Sequence, residues 1–154
     1  MSPAVTAINS MIEEKTGIYF DCVLVNYYED GECSCAWHQD PDMGTVWSTD
    51  SIIVSFGETR KFSLKKNIAT KEKPFVYPLE NLDGFFMFEN CNGDKGYLLT
   101  YFLKYSPSHS FSRLGYQHCI LPADKENGPR ISMVFKRSLS NVNGRKGYGY
   151  KSNR

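Results

Sequence analysis

Long apolar runs and a marked excess of either charge are both missing from this sequence. No uninterrupted apolar stretch approaches the roughly 20 residues that a membrane-spanning helix needs, and the N-terminus lacks the apolar core of a signal peptide. The formal net charge is only +1, which argues against a strongly electrostatic nucleic-acid binder but leaves room for a local basic patch. These absences predict an intracellular protein, cytoplasmic or nuclear, that does not associate with membranes.

The cysteines lack the spacing of a disulfide framework or of a redox motif. There are five, an odd number, and none forms a CxxC pair. Cys33-x-Cys35 has no second pair at zinc-finger spacing. We therefore expect free thiols in a reducing compartment, ordinary residues of loops and strands rather than metal ligands.

Short segments of strand type, separated by Gly, Asn, Asp or Pro, make up most of the chain. One helix is predicted over Pro3–Lys15, where apolar residues recur at helical spacing, and Gly17 ends it. The predicted strands are Ile18–Tyr28, Ser51–Phe56, Thr59–Leu64, Pro74–Leu79, Phe85–Phe88, Leu98–Tyr105, Tyr116–Leu121 and Arg130–Lys136. This pattern predicts a mainly β protein, a sandwich or barrel-like jelly roll with an N-terminal helix.

The chain is long enough for one domain with a single core, which we place at residues 1–137. Residues 138–154 are predicted to form a basic, flexible C-terminal tail. Lys136–Arg154 holds six basic residues and no acidic ones. Both a frayed terminus and a phosphate-contacting role fit that composition.

The pair His38-Gln-Asp40 is the strongest indication of chemistry. Residues two apart on a strand project from the same face, so both side chains could bind one metal ion. Two imidazoles and one carboxylate, with open positions opposite them, form the facial site of non-haem iron(II) oxygenases. The third ligand must come from elsewhere, and His109 and His118 are the two candidates. An exposed histidine beside a solvated aspartate is the alternative for the pair alone.

A second indication comes from the strand that begins at Arg130. Alternation places four residues on one face of it: Arg130, Ser132, Val134 and Lys136. A buried arginine needs an anionic partner, because an unpaired buried charge is costly. A small dicarboxylate held between this arginine and a metal would satisfy both groups. The alternative is that Arg130 pairs with an acidic side chain on a neighbouring strand.

Taken together, these motifs resemble the AlkB-like iron(II)/2-oxoglutarate dioxygenases over roughly Ile18 to Arg137. The motifs stand in the order, and close to the spacing, of that family: Asn26-x-Tyr28, His38-x-Asp40, Phe56-Gly57-x-Thr59-Arg60-x-Phe62, His118 and the Arg130 strand. Arg130 follows His118 by twelve residues, as in family members that act on nucleic acid. This spacing favours His118 over His109, which sits in a loop-like Ser-Pro-Ser-His-Ser-Phe context.

The resemblance implies a double-stranded β-helix with a metal at its mouth. It implies that His38, Asp40 and His118 bind Fe(II) and form the catalytic centre. The residues that it implies for binding 2-oxoglutarate are Asn26, Tyr28, Arg130, Ser132 and Lys136.

The activity that the resemblance implies is oxidative removal of N-methyl groups from bases in nucleic acid, with O2 as the oxidant. The base would come from a single strand or a flipped nucleotide. Asp42 matches a family position near the target base, and the aromatic candidates for stacking are Trp37, Trp47, Tyr97 and Tyr101. We expect a monomer. A dioxygenase of the same fold acting on a protein side chain or a small molecule stays open, as does a non-catalytic binding module.

The sequence also departs from the family pattern. Lys136 stands where a second arginine is usual, which keeps the charge but loses the planar fork. Met43 stands at a position where members of that family often have an acidic residue. Only 25 residues precede Asn26, which predicts a reduced N-terminal lid, and the interval between Asn90 and Gly115 is long. We expect its core, Asn92–Arg113, to cover part of the substrate groove.

Overall fold

Ten strands and one helix form the fold in the computed structural model, which describes residues 2–66, 72–88, 95–100, 104–105 and 116–140, with only the backbone at 88, 95–100 and 104–105. The helix α1 spans Pro3–Thr16. The strands are β1 (Cys22–Tyr28), β2 (Cys35–His38), β3 (Trp47–Gly57), β4 (Arg60–Lys66), β5 (Phe75–Leu79), β6 (Gly84–Phe88), β7 (Lys95–Thr100), β8 (Lys104–Tyr105), β9 (Tyr116–Ile120) and β10 (Arg130–Ser138).

Local sequence signals fix both ends of α1. The Ser2 hydroxyl accepts a hydrogen bond from the Val5 backbone N–H at 3.4 Å, and Pro3 occupies the first turn, where no intrahelical donor is needed. Gly17 ends the helix in the left-handed region with φ of 71°, and its N–H donates to the Glu13 carbonyl. The helix therefore begins and ends where its capping residues place it.

The strands pair into two antiparallel sheets. The larger sheet has the order β1-β10-β3-β6-β7-β8, and the smaller has the order β2-β9-β4-β5. Neighbours in these sheets are often distant in sequence, as in β1 with β10, which is typical of a jelly roll. The smaller sheet brings β2 beside β9, and the larger places β10 at the centre of a β1-β10-β3 unit.

Two apolar clusters cover the two faces of β3 and β6 in the larger sheet. One lies between the two sheets and includes Ile53, Phe62 and Phe85. The other lies between the larger sheet and α1 and includes Ile12 and Ile52. Successive residues of β3 point alternately into these clusters, so its continuous apolar run is what a strand covered on both faces requires.

The predicted fold class is confirmed, and most predicted elements are present within one or two residues of their expected bounds. The four-residue strand β2 was not predicted, because Cys35–His38 is too short to show a periodicity. Within the segment 92–113, only Lys95–Thr100 and Lys104–Tyr105 are described; they form β7 and β8, which pair antiparallel in the larger sheet, whereas one strand was predicted over Leu98–Tyr105. The prediction that this segment covers the substrate groove lies outside the described residues. Among the described residues, no helix has the length and apolarity to cross a membrane.

Replacing Ile12 by alanine should destabilise the protein by about 2–5 kcal/mol, because it opens a cavity between α1 and the larger sheet. Ile12 is fully buried, whereas the adjacent Met11 is 45% exposed. Met11→Ala is therefore the matched control and should change the free energy of unfolding by less than about 0.5 kcal/mol. Urea denaturation followed by circular dichroism measures both, and equal effects would contradict this packing of α1.

Candidate metal centre

Three potential metal ligands converge at one end of the space between the sheets. Ligand atoms of His38, Asp40 and His118 all lie within 4.8 Å of one another. Asp40 Oδ1 is 3.6 Å from His38 Nε2 and 3.7 Å from His118 Nε2. One carboxylate oxygen therefore faces both imidazoles, with room between them for an ion.

Strand pairing places the two histidines. His38 is the last residue of β2, and its register partner on β9 is His118. Their ring centroids lie 4.3 Å apart. Asp40 does not share the strand with His38 as expected, because β2 ends at His38 and Asp40 lies in the loop that follows. The side chains of His38 and Asp40 still lie close together, but the path of the loop brings them together, not alternation along a strand.

The carboxylate of Asp40 lies among three potentially cationic side chains. Its second oxygen, Oδ2, is 3.2 Å from Nζ of Lys136. Burial alone would raise the pKa of the Asp40 carboxyl, but contacts with His118 and His38 and the charge of Lys136 hold that pKa well below its usual range. The carboxylate is thus ionised throughout the physiological range, as a metal ligand must be.

The backbone of β2 orients the imidazole of His38. Its Nδ1 lies 2.8 Å from the Ala36 carbonyl oxygen, which can only accept, so Nδ1 carries the proton and donates it. In the neutral ring, Nε2 then presents its lone pair towards Asp40, the arrangement found in metal-bound histidines. The contact with Asp40 raises the pKa of His38. Sequence reasoning missed Cys35, whose Sγ lies 3.6 Å from His38 Nδ1.

A buried arginine, Arg130, lies at the start of β10, six residues before the lysine that contacts Asp40. Arg130 is 1% exposed, and its Nε donates a hydrogen bond to Ser55 Oγ at 3.0 Å. Neither terminal nitrogen, Nη1 nor Nη2, has a hydrogen-bond partner among the described residues. Burial lowers the pKa of this guanidinium, so an anion beside it would stabilise the charged form. Ser55 was not predicted, although a serine inside an apolar strand is a signal for such a contact.

The other predicted cosubstrate residues lie beside Arg130 on β1 and β10. Tyr28 pairs with Arg130 across the two strands, and its ring centroid is 5.2 Å from the guanidinium carbon. Asn26 pairs with Ser132 and donates to its hydroxyl at 3.4 Å. Tyr28 on β1 and Val134 on β10 belong to the cluster between the sheets, and alternation along these strands places Asn26, Arg130, Ser132 and Lys136 on the same face.

Asp42 lies in a tight loop next to the metal ligands. It adopts a positive φ of 61°, and its carbonyl accepts hydrogen bonds from the backbone N–H groups of Val46 at 2.9 Å and Trp47 at 3.0 Å. Gly44, with φ of 81°, donates to the Trp47 carbonyl. The exposed side chain of Asp42 and the half-buried indole of Trp47 therefore lie on a hydrogen-bonded loop that begins two residues after Asp40.

The remaining predicted substrate contacts are only partly described. Trp37 is half-buried, and the ammonium of Lys65 lies 4.4 Å from its ring centroid, a cation–π contact. Because Trp37 precedes His38 on β2, the two side chains point to opposite faces. Tyr97 pairs with Phe86 through the backbone, but its side chain lies outside the described residues, as do Tyr101 and the competing histidine His109.

The groups present fit a facial Fe(II) site with a dicarboxylate cosubstrate. Two imidazoles and one carboxylate are the donor set of such a site, and the buried terminal nitrogens of Arg130 offer a fork for a carboxylate. His38 is the more exposed of the two histidines, so the site is reached from its side. A jelly roll with these residues at its mouth defines a protein of the iron(II) oxygenase class.

Comparison with known sequences agrees with this class. The family model described as the 2OG-Fe(II) oxygenase superfamily matches residues 1–91, and the chain belongs to that superfamily. The match includes His38 and Asp40 but ends before His118. The metal and substrates that the superfamily implies are Fe(II), 2-oxoglutarate and O2.

Individual relatives confirm the predicted AlkB-like resemblance. An uncharacterized protein of Acanthamoeba polyphaga mimivirus, R406, is 31% identical over 142 residues, which are 92% of this chain and 62% of that protein. The alpha-ketoglutarate-dependent dioxygenase alkB homolog 3 of Rattus norvegicus is 38% identical over 72 residues, 46% of this chain and 24% of the relative. The human homolog 3 is 35% identical over the same length. This chain thus spans less than two thirds of these relatives.

Divalent metal should stabilise the protein through Asp40. Mn²⁺, a redox-stable substitute for Fe²⁺, should raise the free energy of unfolding by about 2.7 kcal/mol at a hundredfold excess over its Kd. Asp40→Asn should abolish this gain, because it removes the anionic ligand at nearly constant shape. Asp42→Asn, two residues further on and exposed, should retain it. Thermal unfolding with and without Mn²⁺ measures the effect, and an unaltered gain in Asp40→Asn would place the metal elsewhere.

Proposed function

We propose that this protein is an Fe(II)/2-oxoglutarate-dependent dioxygenase that removes N-methyl groups from bases in nucleic acid. One observation carries the proposal: His38, Asp40 and His118 converge within 4.8 Å at the mouth of a jelly roll. The region between the two sheets beside these ligands, which is called the chamber below, contains Arg130, whose terminal nitrogens have no hydrogen-bond partner among the described residues. A metal ion would fill the space between the three ligands, and a dicarboxylate would provide the partner that the terminal nitrogens of Arg130 lack.

His38, Asp40 and His118 would hold the metal, leaving its other positions for cosubstrate and oxygen. Arg130 would hold the distal carboxylate of 2-oxoglutarate through two parallel N–H donors. Tyr28, Asn26 and Ser132 line the same strands and would complete the cosubstrate contacts. The assignment of these residues follows from the resemblance and from their shared inward face.

When bound, the iron would couple the reduction of O2 to two oxidations, the decarboxylation of 2-oxoglutarate to succinate and carbon dioxide and the hydroxylation of the methyl group. The protein contributes positioning and the exclusion of water. The Ala36 carbonyl fixes the imidazole of His38 by accepting a hydrogen bond from Nδ1–H. The apolar cluster that includes Phe62 and Phe85 closes the inner side of the chamber, and the Phe62 ring centroid lies 5.6 Å from that of His118.

The AlkB-like resemblance is the main support for nucleic acid as the substrate. The surroundings of the site are compatible with it. The partly exposed side of His38 leaves an entrance, and Asp42 lies on the hydrogen-bonded loop beside that entrance. On the face of β2 away from His38, Trp37 and Lys65 place an aromatic ring and a cation close together, the combination that binds bases and phosphates of single strands, and they would contact nucleotides other than the target base. A base would need to leave its stack to reach the metal.

Mass spectrometry of methylated single-stranded RNA and DNA oligonucleotides tests the activity. With Fe(II), ascorbate, 2-oxoglutarate and O2, the wild type should remove methyl groups and release formaldehyde, whereas His38→Ala should not. Succinate formation without any change in the oligonucleotides would favour a protein side chain or small molecule as substrate. Absence of bound iron and of succinate would contradict the enzymatic proposal and favour a binding module.

Replacing Arg130 by methionine should weaken 2-oxoglutarate binding by about 2–5 kcal/mol, because a buried carboxylate would lose its charged partner. The matched control is Arg137→Met on the same strand, since Arg137 points to the opposite face and pairs with Asp50 at 2.7 Å. The control should bind 2-oxoglutarate as the wild type does. Anaerobic calorimetry in the presence of Mn²⁺ measures both affinities, and wild-type binding by Arg130→Met would contradict the assignment.

A further inference from the structure

The ammonium of Lys136 contacts the metal-ligand carboxylate rather than lying free to receive a cosubstrate. Its Nζ lies 3.2 Å from Asp40 Oδ2, and both side chains are at least nine-tenths buried. The resemblance assigns Lys136 to 2-oxoglutarate binding only. In this structure its ion-pair partner among the described residues is Asp40.

The two oxygens of Asp40 have different neighbours. Oδ1 faces the Nε2 atoms of His38 and His118, where a metal would lie, and Oδ2 faces Lys136. The lysine therefore does not occupy the ligand oxygen itself. It acts through charge, because it neutralises the one carboxylate of the site and lies within a few ångströms of the space in which a divalent cation must bind.

We infer that Lys136 lowers the affinity of the site for metal until 2-oxoglutarate arrives, and so couples the binding of metal to the binding of cosubstrate. This inference rests on the function proposed above. A divalent metal adds two positive charges to a chamber that already holds Lys136 and Arg130 against the carboxylate of Asp40. In a partly dry chamber, repulsion between like charges is weakly screened. The two negative charges of 2-oxoglutarate offset this repulsion.

The same geometry predicts how the coupling depends on the lysine. Removing the ammonium takes away the repulsion and leaves Asp40 without its lysine partner in the metal-free protein. Both changes favour metal binding. Because coupling between two ligands is reciprocal, the gain that cosubstrate gives to metal binding should shrink at the same time.

Mn²⁺ affinity, measured anaerobically by electron paramagnetic resonance with and without 2-oxoglutarate, tests the inference independently of turnover. Without cosubstrate, Lys136→Met should bind Mn²⁺ about tenfold more tightly than wild type, because it removes a weakly screened repulsion between the ammonium and the metal ion. The enhancement by 2-oxoglutarate should fall correspondingly. Lys136→Arg, which keeps the charge, should remain near wild type in both respects. Lys61→Met, which removes an exposed charge on β4, controls for net charge.

Lys136→Gln distinguishes charge from positioning, and it also serves if the methionine variant does not fold. Glutamine can still donate a hydrogen bond to Asp40 but carries no charge, so it too should tighten Mn²⁺ binding. Weaker binding by both neutral variants would show that the lysine positions Asp40 instead and would overturn the inference. Unchanged Mn²⁺ affinity would overturn it as well. If wild type bound no Mn²⁺ at all, the proposed function would fail first.

Discussion

The antiparallel pairing of β2 with β9 is the interaction on which the site depends. It places the last residue of a four-residue strand, His38, opposite His118, eighty positions later in the chain. Because β9 is also held by β4, the position of the second imidazole is fixed by the smaller sheet as a whole. The loop after β2 then brings the carboxylate of Asp40 to both rings. His38 and His118 lie on paired strands, whereas Asp40 lies in a loop whose next residues are joined by backbone hydrogen bonds.

The larger sheet supplies two buried cations, Arg130 and Lys136, on the face that it turns towards the metal ligands. β10 is a central strand, covered on its inward face by the smaller sheet and on its outer face partly by α1. Its inward positions would ordinarily be apolar, yet Arg130 and Lys136 occupy two of them with 1% and 6% exposure. Burying cations costs free energy that a folded protein recovers only through anionic partners. Lys136 has such a partner in Asp40, and a bound dicarboxylate would provide one for the terminal nitrogens of Arg130. The electrostatics of the chamber therefore favour the joint binding of metal and dicarboxylate.

Much of the fold could be predicted from the sequence, because its strands carry their signals locally. The β-branched and aromatic runs around Ile52 and Phe62 are bounded by turn residues, and the helix has both its caps. The inward set of β10 followed directly from alternation. The short strand β2 had no such pattern, and the true course of the chain from His38 to Asp40 depends on a loop. The contact between Lys136 and Asp40 joins residues 96 positions apart on different elements, and no local pattern encodes it. The choice of His118 came from family spacing, and the structure shows its physical basis in strand register.

Anomalous diffraction from crystals grown with Mn²⁺ and 2-oxoglutarate under anaerobic conditions tests the central claim most directly. One manganese peak should lie within bonding distance of His38 Nε2, Asp40 and His118 Nε2. Density for a dicarboxylate should extend from that peak to the terminal nitrogens of Arg130. A manganese peak away from these three residues, or an Arg130 fork filled by a side chain of the protein itself, would contradict the account.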